Sequence, residues 1–279
     1  MSPQKLSLLN KPTLLENRAI LTLSGSDRKS FLQGLITKDV ERISGNFAIY
    51  AALLTPQGKY LHDFFIIEKD DTIFLDCERT RMADIHRRFM MYRLRADVDI
   101  RDCSEKYDVL ASPELLSEGL ISYPDPRLPN MGFRTIISAP APYPKDDHYD
   151  DLRLSLGLPD GSRDFDVDKT LILEGNMEEL NGVDFTKGCY VGQEVTARMK
   201  HRAILKKRLL PVTIDGTLPA RGTEIIDKDG KKIGDIRSGL GNRAIGYFRL
   251  AKMTFNQPYR CGEATITPWQ PDWYPETNS

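Results

Sequence analysis

The last third of the chain alternates short apolar runs with glycine-containing turns, and this spacing restricts the fold more than any other feature. The turns contain Gly216, Gly222, Asp229-Gly230 and Gly239 to Gly241. An Asp-Gly pair favours a tight hairpin, because such turns need the positive φ that glycine adopts readily. Several short strands at this spacing predict a small antiparallel β-barrel, which we place in residues 206–279. The apolar runs are Leu209–Ile214, Thr223–Asp227, Lys232–Arg237, Ala244–Phe248 and Ala264–Pro268.

The first 205 residues mix helical and extended patterns. Phe31, Leu32, Leu35 and Ile36 form an apolar stripe at helical spacing, and residues 79–91 repeat that pattern. Between them, Pro56-Gln57-Gly58 predicts a hairpin turn that joins strands at 47–55 and 60–68. The second of these strands is apolar at successive positions, which predicts an interior strand. We therefore predict an α+β fold, with two interleaved mixed subdomains in residues 1–205 that precede the barrel.

Charge and hydropathy argue against two classes of partner. The 279 residues carry 39 basic and 40 acidic side chains, so the net charge of −1 gives no general attraction to nucleic acid or to a membrane surface. No apolar run approaches the ~20 residues that a membrane span needs. The N-terminal segment contains Lys5, Lys11 and Arg18 but also Glu16, unlike an acid-poor transit peptide. These features predict a cytoplasmic protein.

The four cysteines are far apart in sequence. Cys77, Cys103, Cys189 and Cys261 form no CxxC pair or other compact metal-binding spacing. Reduced thiols are the expected state of such cysteines inside a cell. No metal site is visible that one chain could complete alone, but a cluster bridged between Cys189 and another molecule stays open.

One motif concentrates chemically active groups. In the octapeptide Lys187–Glu194, a lysine precedes Cys189 by two residues, and a nearby cation favours the thiolate form of a cysteine. Gln193 offers an amide that donates and accepts, and Glu194 offers a carboxylate that only accepts. Such a set suits a heteroaromatic ligand with donors and acceptors on one edge. A small buried cysteine beside a glycine turn is the alternative interpretation.

The octapeptide resembles the signature of the YgfZ/GcvT-like family of folate-binding proteins, which are related to the aminomethyltransferase of the glycine cleavage system. The resemblance extends through Leu173–Asn176, Leu180–Thr186 and Lys206–Leu209. Over this longer run, the chain most resembles the branch of the family that contains the mitochondrial iron–sulfur cluster assembly factor. The resemblance implies a GcvT-like ring of three subdomains around a folate pocket, two mixed α+β subdomains followed by the C-terminal barrel.

The resemblance also implies site residues. Cys189 corresponds to a reactive thiol or transient cluster ligand, with Lys187 assisting it. Glu174 matches a carboxylate that holds the pterin ring of folate, and Tyr50 matches a tyrosine of the folate pocket. His62 stands where the aminomethyltransferases have a catalytic aspartate. The other expected folate-binding residues are Tyr190, Gln193, Glu194 and Arg198.

We therefore predict a tetrahydrofolate-binding accessory factor for the assembly or repair of iron–sulfur clusters. Its partners would be tetrahydrofolate or a derivative, a transiently bound cluster, and iron–sulfur assembly proteins or client enzymes. A folate-dependent one-carbon transferase is an alternative, which His62 weakens, so enzymatic activity stays open. A factor acting on tRNA modification is another, in which the basic face of residues 79–95 would contact RNA. That face would otherwise be a solvated helix surface.

Overall fold

The structure, a computed structural model, describes residues 11–45, 47–202 and 205–275. These residues form two compact units. Unit 1 comprises the described residues up to Pro56 together with Leu61–Tyr149 and Asn181–Gln193. Unit 2 comprises Gln57–Tyr60, Asp150–Leu180 and the described residues from Glu194 onward. The predicted domain boundary between residues 205 and 206 lies inside unit 2 and stays a prediction.

Strands dominate the secondary structure, with short helices between them. The strands are β1 (Thr13–Leu14), β2 (Arg18–Ser24), β3 (Ile49–Leu54), β4 (Tyr60–Lys69), β5 (Thr72–Glu78), β6 (Asp99–Asp102), β7 (Tyr107–Ser112), β8 (Ile121–Pro124), β9 (Phe133–Ser138), β10 (Lys207–Asp215), β11 (Glu224–Ile226), β12 (Lys232–Leu240), β13 (Arg243–Arg249), β14 (Tyr259–Cys261) and β15 (Ala264–Pro268). The α-helices are α1 (Arg28–Gln33), α2 (Met82–Arg93), α3 (His148–Ser155), α4 (Gly161–Asp164) and α5 (Gln193–His201). A bilayer-crossing helix needs about 20 apolar residues, and none of these helices meets that requirement.

A five-stranded sheet with the order β3-β4-β5-β2-β6 forms the larger layer of unit 1. The predicted hairpin is present, because β3 and β4 are joined through Gly58, whose φ of 73° suits a glycine. As predicted, β4 lies inside the sheet, and its residues are buried on both faces as far as Ile67. Helix α2 packs on one face, where Phe89 contacts the ring of Phe64 edge-on at 6.2 Å.

A second sheet of unit 1 has the order β1-β7-β9-β8. A buried ionic cluster connects it to the larger sheet. The carboxylate of Asp76 in β5 accepts hydrogen bonds from Arg18 in β2 (2.6 Å) and from Arg134 in β9 (2.8 Å). The guanidinium of Arg134 also lies 4.0 Å from the ring centroid of Phe65, a cation–π contact. Next to it, Asp125 pairs with Arg127 in a bidentate bond of 3.0 and 2.7 Å.

The C-terminal strands close into a barrel with the order β10-β13-β12-β11-β14-β15. Pairs such as Ile214 with Ile266 join β10 to β15 and close the circle, which leaves no free sheet edge. The predicted barrel is therefore confirmed, and each of the five apolar runs overlaps a strand. The sequence analysis missed β14, which has three residues. Alternate side chains from all six strands fill the interior, among them Leu210, Ile225, Ile236 and Phe248.

Candidate functional site

Lys187 joins the cysteine motif to the end of helix α1. Its ammonium group donates to the backbone carbonyl oxygens of Gln33 (2.8 Å), Ile36 (2.8 Å) and Lys38 (3.0 Å). Gln33 is the last residue of α1, where a helix leaves carbonyl acceptors without intrahelical partners, and the other two carbonyls belong to the segment that follows the helix. Burial lowers the pKa of Lys187 to about 8, while Asp39 and Asp184 oppose the shift. Lys187 therefore fixes the position of the motif within unit 1.

This geometry corrects the predicted role of Lys187. An ammonium group has three N–H donors, and the three carbonyl oxygens account for all of them. No donor is left for a thiolate at Cys189. The sequence placed the two residues close together, but the lysine side chain is directed to carbonyls about 150 positions away. Lys187 is a positioning residue and not the direct partner of the thiol.

Cys189 lies exposed between two anchored positions. Lys187 holds the chain on one side, and on the other side the backbone N–H of Val191 donates to the carbonyl oxygen of Gly34 at 3.2 Å. Tyr190 is buried with its ring 5.2 Å from the Lys187 ammonium nitrogen. Gly192, with φ of 85°, then reverses the chain into α5. The loop thus presents its thiol to solvent from a fixed backbone.

Cys189 differs in exposure from the other three cysteines. All four are unpaired; Cys77 and Cys261 are buried, and Cys103 is half-buried, with its sulfur 3.4 Å from the Thr22 hydroxyl. Burial raises the pKa of Cys77 to about 12 and that of Cys261 to about 11. Both stay protonated near neutral pH. Within the described ranges, no group of three or more His, Cys, Asp or Glu side chains is arranged to hold a metal ion.

The segment before the octapeptide is held by Thr37. The hydroxyl of this buried threonine donates to the carbonyl oxygen of Gly182 at 2.6 Å and accepts from the Ala52 N–H at 2.8 Å. Asp184 follows, and its carboxylate accepts from both the backbone N–H and the hydroxyl of Thr186. Burial alone would raise the pKa of Asp184, but the bonds from Thr186 and the charge of Arg42 hold it below its usual value.

Glu174 lies in unit 2, in a single turn of 3-10 helix at Ile172–Gly175. Its Oε2 atom accepts from the Tyr247 hydroxyl at 2.6 Å and from the Leu171 N–H at 3.2 Å. Gly175 lets this turn approach the Phe165 ring, because a Cβ there would lie 2.0 Å from the ring atoms. The carboxylate is thus buried and fixed. A pterin edge would have to replace or share the donors that already occupy Oε2.

Tyr50 and His62 contact different groups of unit 1. The Tyr50 hydroxyl donates to Asp63 at 3.1 Å, and its ring stacks on Phe65 at 5.1 Å. His62 is the neighbour of Asp63 in β4, so its side chain points to the opposite face of the sheet. There its Nε2 donates to Asp84 of α2 at 2.9 Å. Within β4, His62 therefore faces away from the Asp63 side chain that Tyr50 contacts, and folate binding by His62 stays a prediction. The sequence analysis missed Asp63, which strand alternation from Phe65 would have placed with Tyr50.

His62 should make the stability of the protein depend on pH. Burial lowers its pKa from 6.5 to about 4, the Arg81 charge adds to the shift, and Asp84 opposes it. The unfolded chain therefore binds a proton that the folded chain excludes, and the contribution is complete above pH 6.5 and lost as the pH falls towards 4. We expect unfolding free energy to fall by roughly 2–3 kcal/mol across this window. Urea titrations at pH 7 and pH 4.5 measure it.

The control for this prediction is His62→Gln, which keeps a hydrogen-bond donor for Asp84 but does not titrate. Its midpoint should change much less between the two pH values. The bonds from Arg88, Arg87 and His62 outweigh burial and hold the pKa of Asp84 below its usual 3.8, so Asp84 contributes below this window. Equal pH dependence in both proteins would contradict the assignment.

The remaining predicted residues begin helix α5. Gln193 starts the helix, and its N–H donates to the carbonyl oxygen of Tyr190 at 3.2 Å. Glu194 and Arg198 form an ion pair one turn apart, and both side chains are exposed. Exposed pairs of this kind contribute about 0.3–0.5 kcal/mol. Each of these two side chains contacts the other. The folate contact that the resemblance implies for them stays a prediction.

Two cavities in the described parts of the chain lie outside the predicted set of residues. One of about 680 Å³ is in unit 1, and its lining includes Arg28, Lys29, Lys69 and Leu120. Another of about 400 Å³ is in unit 2 and is lined in part by Arg163, Arg221 and Arg237. The arginines of the second cavity are paired with aspartates, as Arg237 is with Asp166 at 2.7 Å.

The fold has a counterpart among solved structures. The chain superposes on a crystal structure of the glycine cleavage system aminomethyltransferase T from Bartonella henselae with a TM-score of 0.77. The match covers 95% of this chain and 86% of that one at 14% sequence identity, so it shows the fold alone. A family model described as the CAF17 C-terminal beta-barrel domain matches residues 206–276. The predicted α+β, GcvT-like fold with a C-terminal barrel is confirmed.

Sequence relatives extend over nearly the whole chain. The mitochondrial iron–sulfur cluster assembly factor IBA57 of Mus musculus is 29% identical, over 94% of this chain and 84% of its own length. The homolog from Pyricularia oryzae is 31% identical, over 87% of this chain and 72% of its own. These names contradict the predicted cytoplasmic location, because all of them specify mitochondria. One acidic residue among three basic ones in the N-terminal segment was too weak a basis for that prediction. The Homo sapiens IBA57 protein is 30% identical over 94% of this chain and 84% of its own, and the chain therefore belongs to the IBA57 family.

Proposed function

We propose that this protein is an accessory factor for iron–sulfur cluster assembly in which Cys189 is the functional thiol. The observation that carries the proposal is the exposed sulfur on a backbone fixed at both sides, by Lys187 and by Val191. A cysteine kept for packing is usually buried, as Cys77 and Cys261 are. The relatives that the chain matches are named as iron–sulfur cluster assembly factors.

A single exposed cysteine can supply one ligand to a cluster. Iron–sulfur clusters are held by about four thiolates, and Cys189 supplies one. The cluster is therefore a cargo shared with a partner that provides the other ligands. Binding releases the thiol proton to solvent as the sulfur–iron bond forms, and transfer breaks that bond when a client's cysteine replaces Cys189. A weakly held cargo of this kind suits a factor that passes a cluster on.

We propose further that the protein binds tetrahydrofolate. The residues fit the ligand in part. Glu174 of unit 2 offers a buried carboxylate that can accept from the N–H edge of a pterin, with the Tyr247 hydroxyl of the same unit beside it. His62 is already bound to Asp84 and supplies no catalytic carboxylate. A one-carbon transfer step is therefore not part of the proposal. Tetrahydrofolate would be a bound or regulatory ligand.

Glu174→Gln should weaken tetrahydrofolate binding by at least tenfold. The substitution keeps the shape of the side chain but removes the negative charge, and hydrogen bonds to a charged group contribute about 1.5–3 kcal/mol. Titration calorimetry with tetrahydrofolate measures the affinity. Glu178→Gln is the matched control, since Glu178 pairs with Lys200 in the same unit and is half-buried. Cys189→Ser should bind as the unchanged protein does.

Three outcomes separate the parts of the proposal. Loss of binding in Glu174→Gln alone supports a folate site that is distinct from the thiol. Equal loss in Glu174→Gln and Glu178→Gln would contradict the assignment of Glu174. No binding heat from the unchanged protein at millimolar tetrahydrofolate would end the folate proposal, while the cluster proposal depends on the separate Cys189 experiment.

A further inference from the structure

Helix α2 ends in an apolar cluster that the described part of the chain leaves exposed. Met82, Ile85 and Phe89 bury its inner face. At its C-terminal end, Met90 is 42% exposed, Met91 67%, Tyr92 41% and Leu94 88%. We call these four residues the α2 tip. Scattered exposed apolar residues are normal, but adjacent ones mark a contact surface.

The backbone at Leu94 strengthens this interpretation. Its φ is 44° and its ψ is −107°, a conformation that glycine adopts far more readily than a branched side chain. The leucine side chain gains no burial in exchange, because it is almost fully exposed. Strained residues of this kind cluster at functional sites, so an exposed one favours a contact outside its own chain.

Charge around the α2 tip selects the partner. Residues 79–97 contain six arginines and two aspartates, and no lysine. Asp84 accepts hydrogen bonds from Arg87 and Arg88 and contacts Arg81. Its single negative charge is therefore shared among these three arginines. Arg93 and Arg95 flank Leu94 and keep the surface positive. A partner that covers it needs carboxylates around an apolar centre.

Composition favours a protein over RNA or a membrane. Protein interfaces are enriched in Met, Tyr and Arg and depleted in Lys, and the α2 tip with its flanks follows that pattern. Flexible methionine side chains adapt to an apolar partner surface. Surfaces that bind phosphate backbones or anionic lipids need clustered uncompensated cations, whereas Arg81, Arg87 and Arg88 here share the Asp84 carboxylate.

The α2 tip belongs to the same unit as Cys189, and α1 contacts both elements. Phe31 of α1 packs edge-on against Phe89 of α2 at 5.8 Å, and Gly34 at its end receives the Val191 N–H. Helix α1 has six residues, about 9 Å of helix. One bound protein can therefore contact the α2 tip and lie near the cysteine loop.

We propose that the α2 tip is the docking surface for a protein partner that presents an acidic rim around an apolar patch. This goes beyond the proposed function, and it holds whether or not Cys189 binds iron. The apolar centre supplies the binding energy and the arginines supply the orientation and the rate of encounter.

A photo-reactive amino acid in place of Met91, introduced in cells, tests the proposal. We expect one discrete protein to be crosslinked, whose purified form binds the unchanged chain. Leu94→Asp and the pair Arg93→Glu with Arg95→Glu should each weaken that affinity at least thirtyfold. The affinity should also fall as salt rises, because the rim contacts are ionic. Urea midpoints check that both variants fold.

Two matched controls are available in the same unit. Leu115 is 52% exposed, so Leu115→Asp introduces the same charge at another apolar surface position. Arg101 is 73% exposed, and Arg101→Glu reverses a charge on β6. Neither should change the affinity by more than about twofold. Crosslinks only to RNA, to lipid or to a second copy of the chain, or no crosslink from Met91, would overturn the proposal, as would equal effects of the Leu94 and Leu115 variants.

Discussion

Asp76→Asn is expected to lower the free energy of unfolding by about 3–5 kcal/mol, the usual cost of leaving a buried charge without its partner. Asp76 is fully buried and accepts from Arg18 and Arg134, which are nearly as buried. An asparagine fills the same space, but its neutral amide removes the carboxylate that both guanidinium groups bind. Asp125 lies 3.7 Å from Arg134 but is already held in a bidentate pair by Arg127, so it compensates only in part.

The control is another ion pair of the same length. The Arg28 Nη2 to Asp71 Oδ1 distance is 2.6 Å, as is the Arg18 Nε to Asp76 Oδ1 distance, but the Asp71 side chain is 91% exposed. Asp71→Asn should change stability by less than about 1 kcal/mol, because water screens an exposed pair. Urea denaturation followed by circular dichroism measures both. Similar midpoints for the two variants would show that the buried cluster does not hold the two sheets of unit 1 together.

Cys189→Ser is expected to abolish the activity of the protein in cluster assembly while leaving the fold intact. Serine is nearly the same size, and Cys189 is exposed, so packing should not change. The hydroxyl is a poor ligand for iron, because it does not form the thiolate that binds metals. In cells that lack the unchanged protein, the activity of an enzyme with a [4Fe–4S] cluster should stay at least tenfold below the level that the unchanged chain restores.

Cys103→Ser is the matched control for that experiment. Cys103 is half-buried beside Thr22, and a serine there can keep the hydrogen bond. This variant should restore the client enzyme fully. Full activity of Cys189→Ser would refute the role of the thiol, although membership of the family would stand. Loss in both variants, with normal urea midpoints, would mean that the assay reports a general effect of losing a cysteine.

Local sequence signals were sufficient for much of the fold. The barrel strands follow from glycine turns at regular spacing, and the β3–β4 hairpin follows from Pro56 and Gly58. Strand β14 could not be predicted this way, since Tyr259–Cys261 is too short to show a period. The strand gains its stability from pairing with β11 and β15 on both sides, which is tertiary context. Propensity in a three-residue segment is weaker than such pairing.

Sequence patterns predict less of the candidate site than of the fold. The octapeptide predicts a site at Cys189, because an uncommon residue in a long matching run is a specific signal, and the structure shows that this cysteine is exposed. The partners of those residues are distant in sequence, and a local pattern does not encode them. Lys187 was assigned to the thiol because it is two positions away, whereas its donors reach carbonyls at the end of α1. The pairing of His62 with Asp84 depends in the same way on the packing of α2 against β4.

The attachment of Lys187 to α1 has a consequence for the synthesis of the chain. Its three bonds join residues 149–154 positions apart, so they form late and only after the intervening chain has been made. Pairing over such separations slows folding, because loop closure precedes any gain from the contact. A nascent or truncated chain that ends before residue 187 lacks both the thiol and the lysine that closes α1. The ribosome must therefore release more than two thirds of the polypeptide before the cysteine loop takes its final shape, and unit 1 matures after part of unit 2 has emerged.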